Sequence, residues 1–281
     1  MRLVKTKIFN FLLVFLFLIC FNNYSWSQSN TPPTVTALGN QSYCPLSQIN
    51  IVTDFNVTGG TDEIEAIYIQ ISTGYVQGND KLLLLNAETH PNISITPFNN
   101  YTGKLVLNWT GSGTSNYADL IAAVKDVVFE NSTLQVSGER TFSITIDEKN
   151  YLPSTGHYYE YVQDNGITWT DAKAAAESRT YNGLTGYLAT ITTSEEVQIT
   201  GEQATGAGWI GASDEENEGT WKWVTGPEIG KSFWKGDGIT GSTAGMDIPF
   251  ANWNSPFEPN NVGNEDYAHI VTSSSVGIPG T

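Results

Sequence analysis

Two stretches in the last third of the chain decide its fold: residues 209–223 read WIGASDEENEGTWKW, and residues 253–267 read WNSPFEPNNVGNEDY. Trp221 and Trp223 alternate in the first stretch, and large aromatic side chains at alternate strand positions bury much area. We therefore predict that Trp209, Trp221 and Trp223 belong to a core. Both stretches are also rich in carboxylate and amide side chains, which supply the oxygen ligands that Ca²⁺ takes in proteins.

The residues before these stretches predict an alternation of strands and helices. Thr168 is followed three positions later by Asp171, and Thr193 by Glu196, which are the spacings of helix N-terminal caps. The predicted elements are, in order, a strand over 156–162, a helix from Thr168 to about Arg179, a strand over 187–191 and a helix from Thr193 to about Ala204.

The motifs, in this order, resemble the C-type lectin-like domain over residues 156–281. The resemblance implies an α+β fold with two helices and a long calcium-binding loop region. Glu258-Pro259-Asn260 resembles the mannose-selective loop of that family, in which the bond before proline is cis. The family's Trp-Asn-Asp motif does not occur before Thr281, which implies a domain that is incomplete at its C-terminus.

The same resemblance implies a metal and a ligand class. Glu258, Asn260 and Glu265 would bind the principal Ca²⁺ and hydrogen-bond two neighbouring sugar hydroxyls of a mannose-type sugar. An auxiliary Ca²⁺ would be held by a second set, with Glu265 bridging the two ions; this set comprises Asp214, Glu218, Asn261, Glu265 and Asp266. Carboxylates gathered in one loop region repel one another unless cations neutralise them. The alternatives are a solvated acidic turn at 214–218 and a Glu-Pro-Asn turn without a metal.

Residues 50–148 predict an all-β sandwich, because short alternating strands are separated by glycine- and asparagine-rich turns. This region resembles the cadherin-like repeats of bacterial surface proteins, which implies a spacer. One helix is predicted over 116–124, and His90 is expected to be a surface residue. Residues 28–49 are expected to be a linker, and residues 149–156 a short hinge.

The first 27 residues have the pattern of a signal peptide, with a basic start, an apolar run and small residues near Ser27. The whole chain has a net charge of −16, and removing the three basic residues of this segment leaves 10 basic against 29 acidic residues, or −19. Nucleic acid and anionic membranes are therefore excluded as expected partners. Cys44 would be the only remaining cysteine, so no intramolecular disulfide is expected.

Together these features predict an exported bacterial surface protein with a calcium-dependent, mannose-type carbohydrate-binding domain that acts in adhesion or glycan recognition. Its expected partners are glycans or glycoproteins, with no membrane insertion after signal cleavage. The alternative is a C-type lectin-like scaffold that binds a protein or a surface, with structural calcium or none. We do not expect an enzyme: Glu258 and Glu265 have amide neighbours that suit metal ligation better than glycoside hydrolysis, while His157 is expected in a strand and His269 near the core.

Overall fold

The computed structural model describes residues 33–59, 64–111, 117–146, 148–260 and 262–272. The described chain is mostly antiparallel β-sheet with a few short helices, which confirms the β-rich part of the predicted fold. The predicted signal peptide and the predicted C-terminal truncation both lie outside the described residues. No helix within the described ranges is both long and apolar enough to cross a membrane.

Two antiparallel sheets enclose the core of the first half of the chain. One sheet has the strand order β2-β8-β5 and the other β6-β7-β4-β9, while β1 pairs with β3. The strands are β1 Thr34–Leu38, β2 Gln48–Asn50, β3 Asp54–Thr58, β4 Ala66–Thr73, β5 Asp80–Leu84, β6 Ile93–Asn99, β7 Lys104–Trp109, β8 Val127–Asn131 and β9 Thr141–Thr145. Leu82 and Phe129 from one sheet and Ile69 and Leu107 from the other belong to one buried cluster, so the arrangement is a two-layer one.

The structure differs from the linker expected over residues 28–49. Both β1 and β2 are paired strands of the first half, and Tyr43 between them packs edge-on against Phe129 with ring centroids 5.0 Å apart. The Tyr43 hydroxyl accepts a hydrogen bond from the Asn131 N–H at 2.8 Å. The polar composition of this segment hid these long-range contacts.

The expectation that His90 lies on the surface is wrong. His90 is 4% exposed, and its ring is held between Asp119 and Asp126, with Nδ1 and Nε2 each 3.1 Å from a carboxylate oxygen. Asp119 lies in the predicted helix, which is α1 (Ala118–Lys125), and Asp126 is the C-terminal cap residue of that helix. His90 therefore joins this helix to the β5–β6 connection through both of its ring nitrogens.

The expected hinge at 149–156 is structured. Asn150–Leu152 forms β10, which pairs with β11 (His157–Tyr159) in a hairpin. Leu152 is fully buried, and β10 also contacts β4 and β9 of the first half. The hairpin therefore joins the two halves of the chain through packed residues.

The second half contains the two predicted helices. They are α2 (Trp169–Glu177) and α3 (Ser194–Val197), which continues as a π-helical turn over Gln198–Glu202. The Thr168 and Thr193 hydroxyls accept hydrogen bonds from the third helical N–H, at 3.2 Å in each case. The helix starts were therefore predicted correctly, because capping is a local property of the sequence.

A four-stranded sheet with the order β16-β15-β14-β17 completes the second half. Its strands are β14 Gly208–Ser213, β15 Thr220–Trp223, β16 Ser232–Lys235 and β17 Tyr267–Ile270, and a small hairpin joins β12 Thr180–Tyr181 to β13 Leu184–Thr185. The strand predicted over 187–191 is not formed. This segment runs beside β14 and accepts two hydrogen bonds instead of making a ladder: the Ala189 carbonyl accepts from the Gly211 N–H, and the Leu188 carbonyl accepts from the Thr225 hydroxyl.

Tryptophan and phenylalanine side chains fill the core of the second half. Trp221 and Trp223 are 3% and 2% exposed, as predicted, and Trp223 stacks on Phe233 with centroids 4.5 Å apart. Trp209 is only half-buried, and its Nε1–H donates to the Ile167 carbonyl at 2.9 Å. His269 is exposed, not near the core as expected, because it occupies an outward position of β17.

Candidate functional site

The turn Glu258-Pro259-Asn260 brings an acid and an amide side chain together. The Glu258–Pro259 bond is cis, as the resemblance implied. Glu258 Oε2 accepts hydrogen bonds from the backbone N–H of Asn260 at 3.0 Å and from its Nδ2 at 2.9 Å. Asn260 Oδ1 in turn accepts from the Val262 N–H at 2.8 Å. Both residues are half-buried.

A second turn supports this one from beneath. The Gly238 N–H donates to the carbonyl of the buried Pro259 at 2.7 Å. A Cβ on Gly238 would lie 2.5 Å from the Glu258 carbonyl oxygen, so only glycine permits the approach. Asp237 closes the supporting turn by accepting from the backbone of Ile239 and Thr240, and these bonds, those from Thr240 foremost, lower the pKa of its carboxyl.

Three large apolar residues next to these turns in the sequence are exposed. Phe257 precedes Glu258, Val262 donates its N–H to Asn260, and Ile239 follows Gly238, and they are 70%, 76% and 81% exposed. Exposed apolar side chains gathered at one place commonly mark a binding surface. The polar pair at Glu258 and Asn260 therefore has exposed apolar residues as its near neighbours in the chain and in the supporting turn.

A second acidic group lies at the end of β14. Asp214 is 3% exposed, and its Oδ2 accepts from the Gly219 N–H at 2.9 Å. Burial raises the pKa of Asp214, and the nearby carboxylates of Glu218 and Asp266 raise it further. The backbone N–H of Asp214 also donates to the Asp266 carbonyl at 3.3 Å, so β17 fixes Asp266 beside it.

Asp214 Oδ1 is buried and has no hydrogen-bond partner among the described residues. A buried carboxylate oxygen without a donor is costly, and a cation bound there would satisfy it. Within the described ranges, however, no three or more His, Cys, Asp or Glu side chains converge in a ready-made metal cage. Asp214, Glu218 and Asp266 thus fit a cation in charge and ligand type, with the remaining ligands to be supplied by backbone, amide or water oxygens.

The structure brings one pair of predicted residues into direct contact, Glu258 with Asn260. Glu218 and Asp266 lie near enough to Asp214 to raise its pKa, but the three carboxylates do not converge on one point. Glu265 is exposed in the loop before β17. Asn261 lies outside the described residues.

Sequence reasoning missed the supporting turn at 237–241. Its Asp-Gly pair is an ordinary turn signal, and nothing local indicates that it contacts a proline 21 positions further on. Tyr267 was also missed: its ring stacks on Trp169 with centroids 4.4 Å apart, and its hydroxyl donates to Glu215 at 3.0 Å. These contacts fix the start of β17, and thereby Asp266, against α2.

Comparison with known proteins adds one relative. No protein-family model matches the chain, and no solved structure matches it. Halomucin of Haloquadratum walsbyi (strain DSM 16790 / HBSQ001) is 36% identical over 215 residues, which is 74% of this chain. The match covers 2% of halomucin, so the chain spans a small part of that protein's length.

Proposed function

We propose that this chain is part of an exported bacterial surface protein whose second half binds carbohydrate through calcium. The observation that carries the proposal is the joint placement of Glu258 and Asn260 on one supported turn. An acceptor-only carboxylate beside an amide suits a pair of neighbouring sugar hydroxyls, because each hydroxyl both donates and accepts. Mannose-type sugars are the expected ligands.

Each residue of the turn has a distinct role in the proposed binding. Glu258 accepts a hydrogen bond from one hydroxyl, and Asn260 Nδ2 donates to the next once it leaves Glu258 Oε2. Bound Ca²⁺ would supply the positive charge that holds both hydroxyl oxygens in place. The Gly238 N–H keeps the turn fixed, which lowers the entropy lost on binding.

The acidic group at Asp214 is proposed to hold a structural Ca²⁺ with Glu218 and Asp266, and Glu265 and Asn261 are proposed as further ligands from the adjoining loop. The orphaned Asp214 Oδ1 supports this assignment. The net charge of −16 also favours cation binding over anionic partners. Similarity to halomucin supports a cell-surface or secreted location.

A second candidate function is binding to a protein or another apolar surface. The exposed Phe257, Val262 and Ile239 favour it, because they lie around the same turn. In this case Glu258 and Asn260 shape the turn without touching a sugar.

Glycan-array binding by the full chain, with Ca²⁺ and with EDTA, separates the two candidates. The proposal expects mannose-type binding that EDTA abolishes and that Glu258→Ala and Asn260→Ala each reduce at least tenfold. Glu139→Ala, a change at an exposed acid of the first half, is the matched control and should bind as the parent does. A folded protein that ignores every glycan in both conditions would refute the carbohydrate proposal.

A further inference from the structure

The π-helical turn after α3 touches the first half of the chain through Gln198. The Tyr75 N–H donates to Gln198 Oε1 at 3.1 Å, and Gln198 Nε2 donates to the Tyr75 carbonyl at 2.8 Å. One side-chain amide thus satisfies both backbone hydrogen-bonding groups of Tyr75, as a neighbouring β-strand would. Such a reciprocal pair fixes orientation as well as distance.

Gln203 makes a second attachment at the other end of the same turn. It is 1% exposed, and its Nε2 donates to the carbonyls of Ile71 and Thr102, both at 2.9 Å. Gly103 has φ +65°, and a Cβ there would lie 2.7 Å from Gln203 Nε2. The β6–β7 turn therefore meets Gln203 at a position where a side chain would obstruct the contact. We call the contacts of Gln198 and Gln203 with Tyr75, Ile71 and Thr102 the glutamine joint.

The chain crossing between the halves is anchored independently. Leu152 of β10 is fully buried while β10 pairs with β11, so one strand belongs to both halves. Lys149, just before β10, forms an ion pair with Glu160, just after β11, at 3.0 Å. The joint and the hairpin are separate attachments, and two attachments remove the freedom that a single hinge would leave.

The match to halomucin covers four of the five residues of the glutamine joint. It extends over 74% of the 281 residues, or about 208 positions, and a stretch of that length contains residues 74–208 wherever it begins. Tyr75, Thr102, Gln198 and Gln203 all lie in that interval. The aligned segment of this chain therefore includes positions on both sides of the interface.

From these contacts we infer that the two halves form one cooperative folding unit held together by the glutamine joint. The first half is then required for the stability of the second and is not an independent spacer. The joint is made of buried amide-to-peptide hydrogen bonds, so losing one glutamine leaves peptide groups of β4 or its turns unpaired. This inference is independent of what the 258–260 turn binds.

Urea unfolding of the full chain, followed by two site-specific signals, tests the inference. Six of the seven tryptophans in the described residues lie in the second half, with Trp109 the one in the first, so tryptophan fluorescence reports mainly the second half. Cys44 is exposed and lies in the first half, so a dye attached to it, in a chain carrying Cys20→Ser, reports that half. We expect the two unfolding curves of the parent to coincide, as a single cooperative transition requires.

The joint variants should uncouple the curves. In Gln203→Ala, and less strongly in Gln198→Ala, the two midpoints are expected to separate, whereas the exposed Gln163→Ala should leave them superimposed. If Gln203→Ala abolishes both folded signals together, that result shows that the two halves depend on each other. The separation of the two midpoints is then tested with Gln198→Ala alone. Parent curves that already differ, or coincident curves with unchanged midpoints in Gln198→Ala and Gln203→Ala, would overturn it.

Discussion

The hydroxyl of Tyr159 holds α3 in place through a buried acid. It donates to Glu196 Oε1 at 2.6 Å, while Oε2 of the same carboxylate receives the Thr192 N–H and hydroxyl at 2.7 and 2.8 Å. Glu196 is 2% exposed, and burial followed by this hydrogen bond strongly raises the pKa of Tyr159. The change Tyr159→Phe removes the donor while keeping the ring, so it creates no large cavity.

The expected cost of Tyr159→Phe follows from that geometry. A hydrogen bond to a charged group contributes about 1.5–3 kcal/mol, and a buried carboxylate oxygen left without a donor falls in the upper part of that range. We therefore expect the free energy of unfolding to drop by about 2–3 kcal/mol. The urea m-value should stay unchanged, because the surface exposed on unfolding is the same.

Urea denaturation at neutral pH measures this loss. The control is Tyr101→Phe, since Tyr101 is 74% exposed and its hydroxyl should contribute little. A double-mutant cycle with Glu196→Gln should give a coupling energy above about 1 kcal/mol. A Tyr159→Phe protein within about 0.5 kcal/mol of the parent, or a cycle without coupling, would refute this account of how α3 is held.

Three further predictions concern charge. His90→Leu should lower the free energy of unfolding by about 1–3 kcal/mol, because it removes the buried ring that bridges Asp119 and Asp126 and leaves the two carboxylates without that partner. His269→Leu, at an exposed site, is the comparison, and an equal effect of both would contradict the prediction. Burial, and to a smaller extent the charge of Asp80, raises the pKa of Tyr75 to about 12. The stabilising contribution of the neutral Tyr75 hydroxyl is therefore complete below pH about 10 and is lost as pH rises towards about 12. The urea midpoint of the parent should decline over this interval more than that of Tyr75→Phe, and parallel declines would contradict the prediction. Because the pKa of Asp214 is raised, the ionised carboxylate destabilises the folded state; this cost is absent below the usual pKa range of an aspartate and grows as pH rises through the folded-state pKa. In EDTA at neutral pH, Asp214→Asn should therefore unfold at higher urea than the parent. The variant should also lose most of the gain of about 2.7 kcal/mol expected when Ca²⁺ is at 100 times its Kd, whereas an undiminished calcium response would remove Asp214 from the proposed site.

Features determined by near neighbours in the sequence were predictable. Thr168 and Thr193 cap their helices within three residues, and the alternation at Trp221 and Trp223 places both indoles in the core. The cis Glu258–Pro259 bond was implied by the resemblance to the C-type lectin-like domain, and the side chains of this turn bond to atoms within three positions of one another.

Features that depend on distant residues were not predictable. His90 bonds to aspartates 29 and 36 positions away, so its neighbours in sequence indicated only a turn. Residues 34–50 and 150–152 are polar or turn-like locally, yet they pair with strands formed elsewhere. The support of Pro259 by Gly238 likewise depends on tertiary packing, which no single-sequence pattern records.

The glutamine joint also has a mechanical consequence. It connects residues that are 101, 123 and 132 positions apart in the chain, so its hydrogen bonds bridge the two ends of the segment between Tyr75 and Gln198. A pulling force applied at the chain ends would load these hydrogen bonds together with the β4–β7 and β4–β9 ladders, and the enclosed segment would lengthen only after those contacts broke. A fully extended chain spans about 3.4 Å per residue, so the 123 residues of the enclosed segment would span roughly 400 Å once extended. On a tethered surface protein, that reserve would let the attachment lengthen under load before it fails.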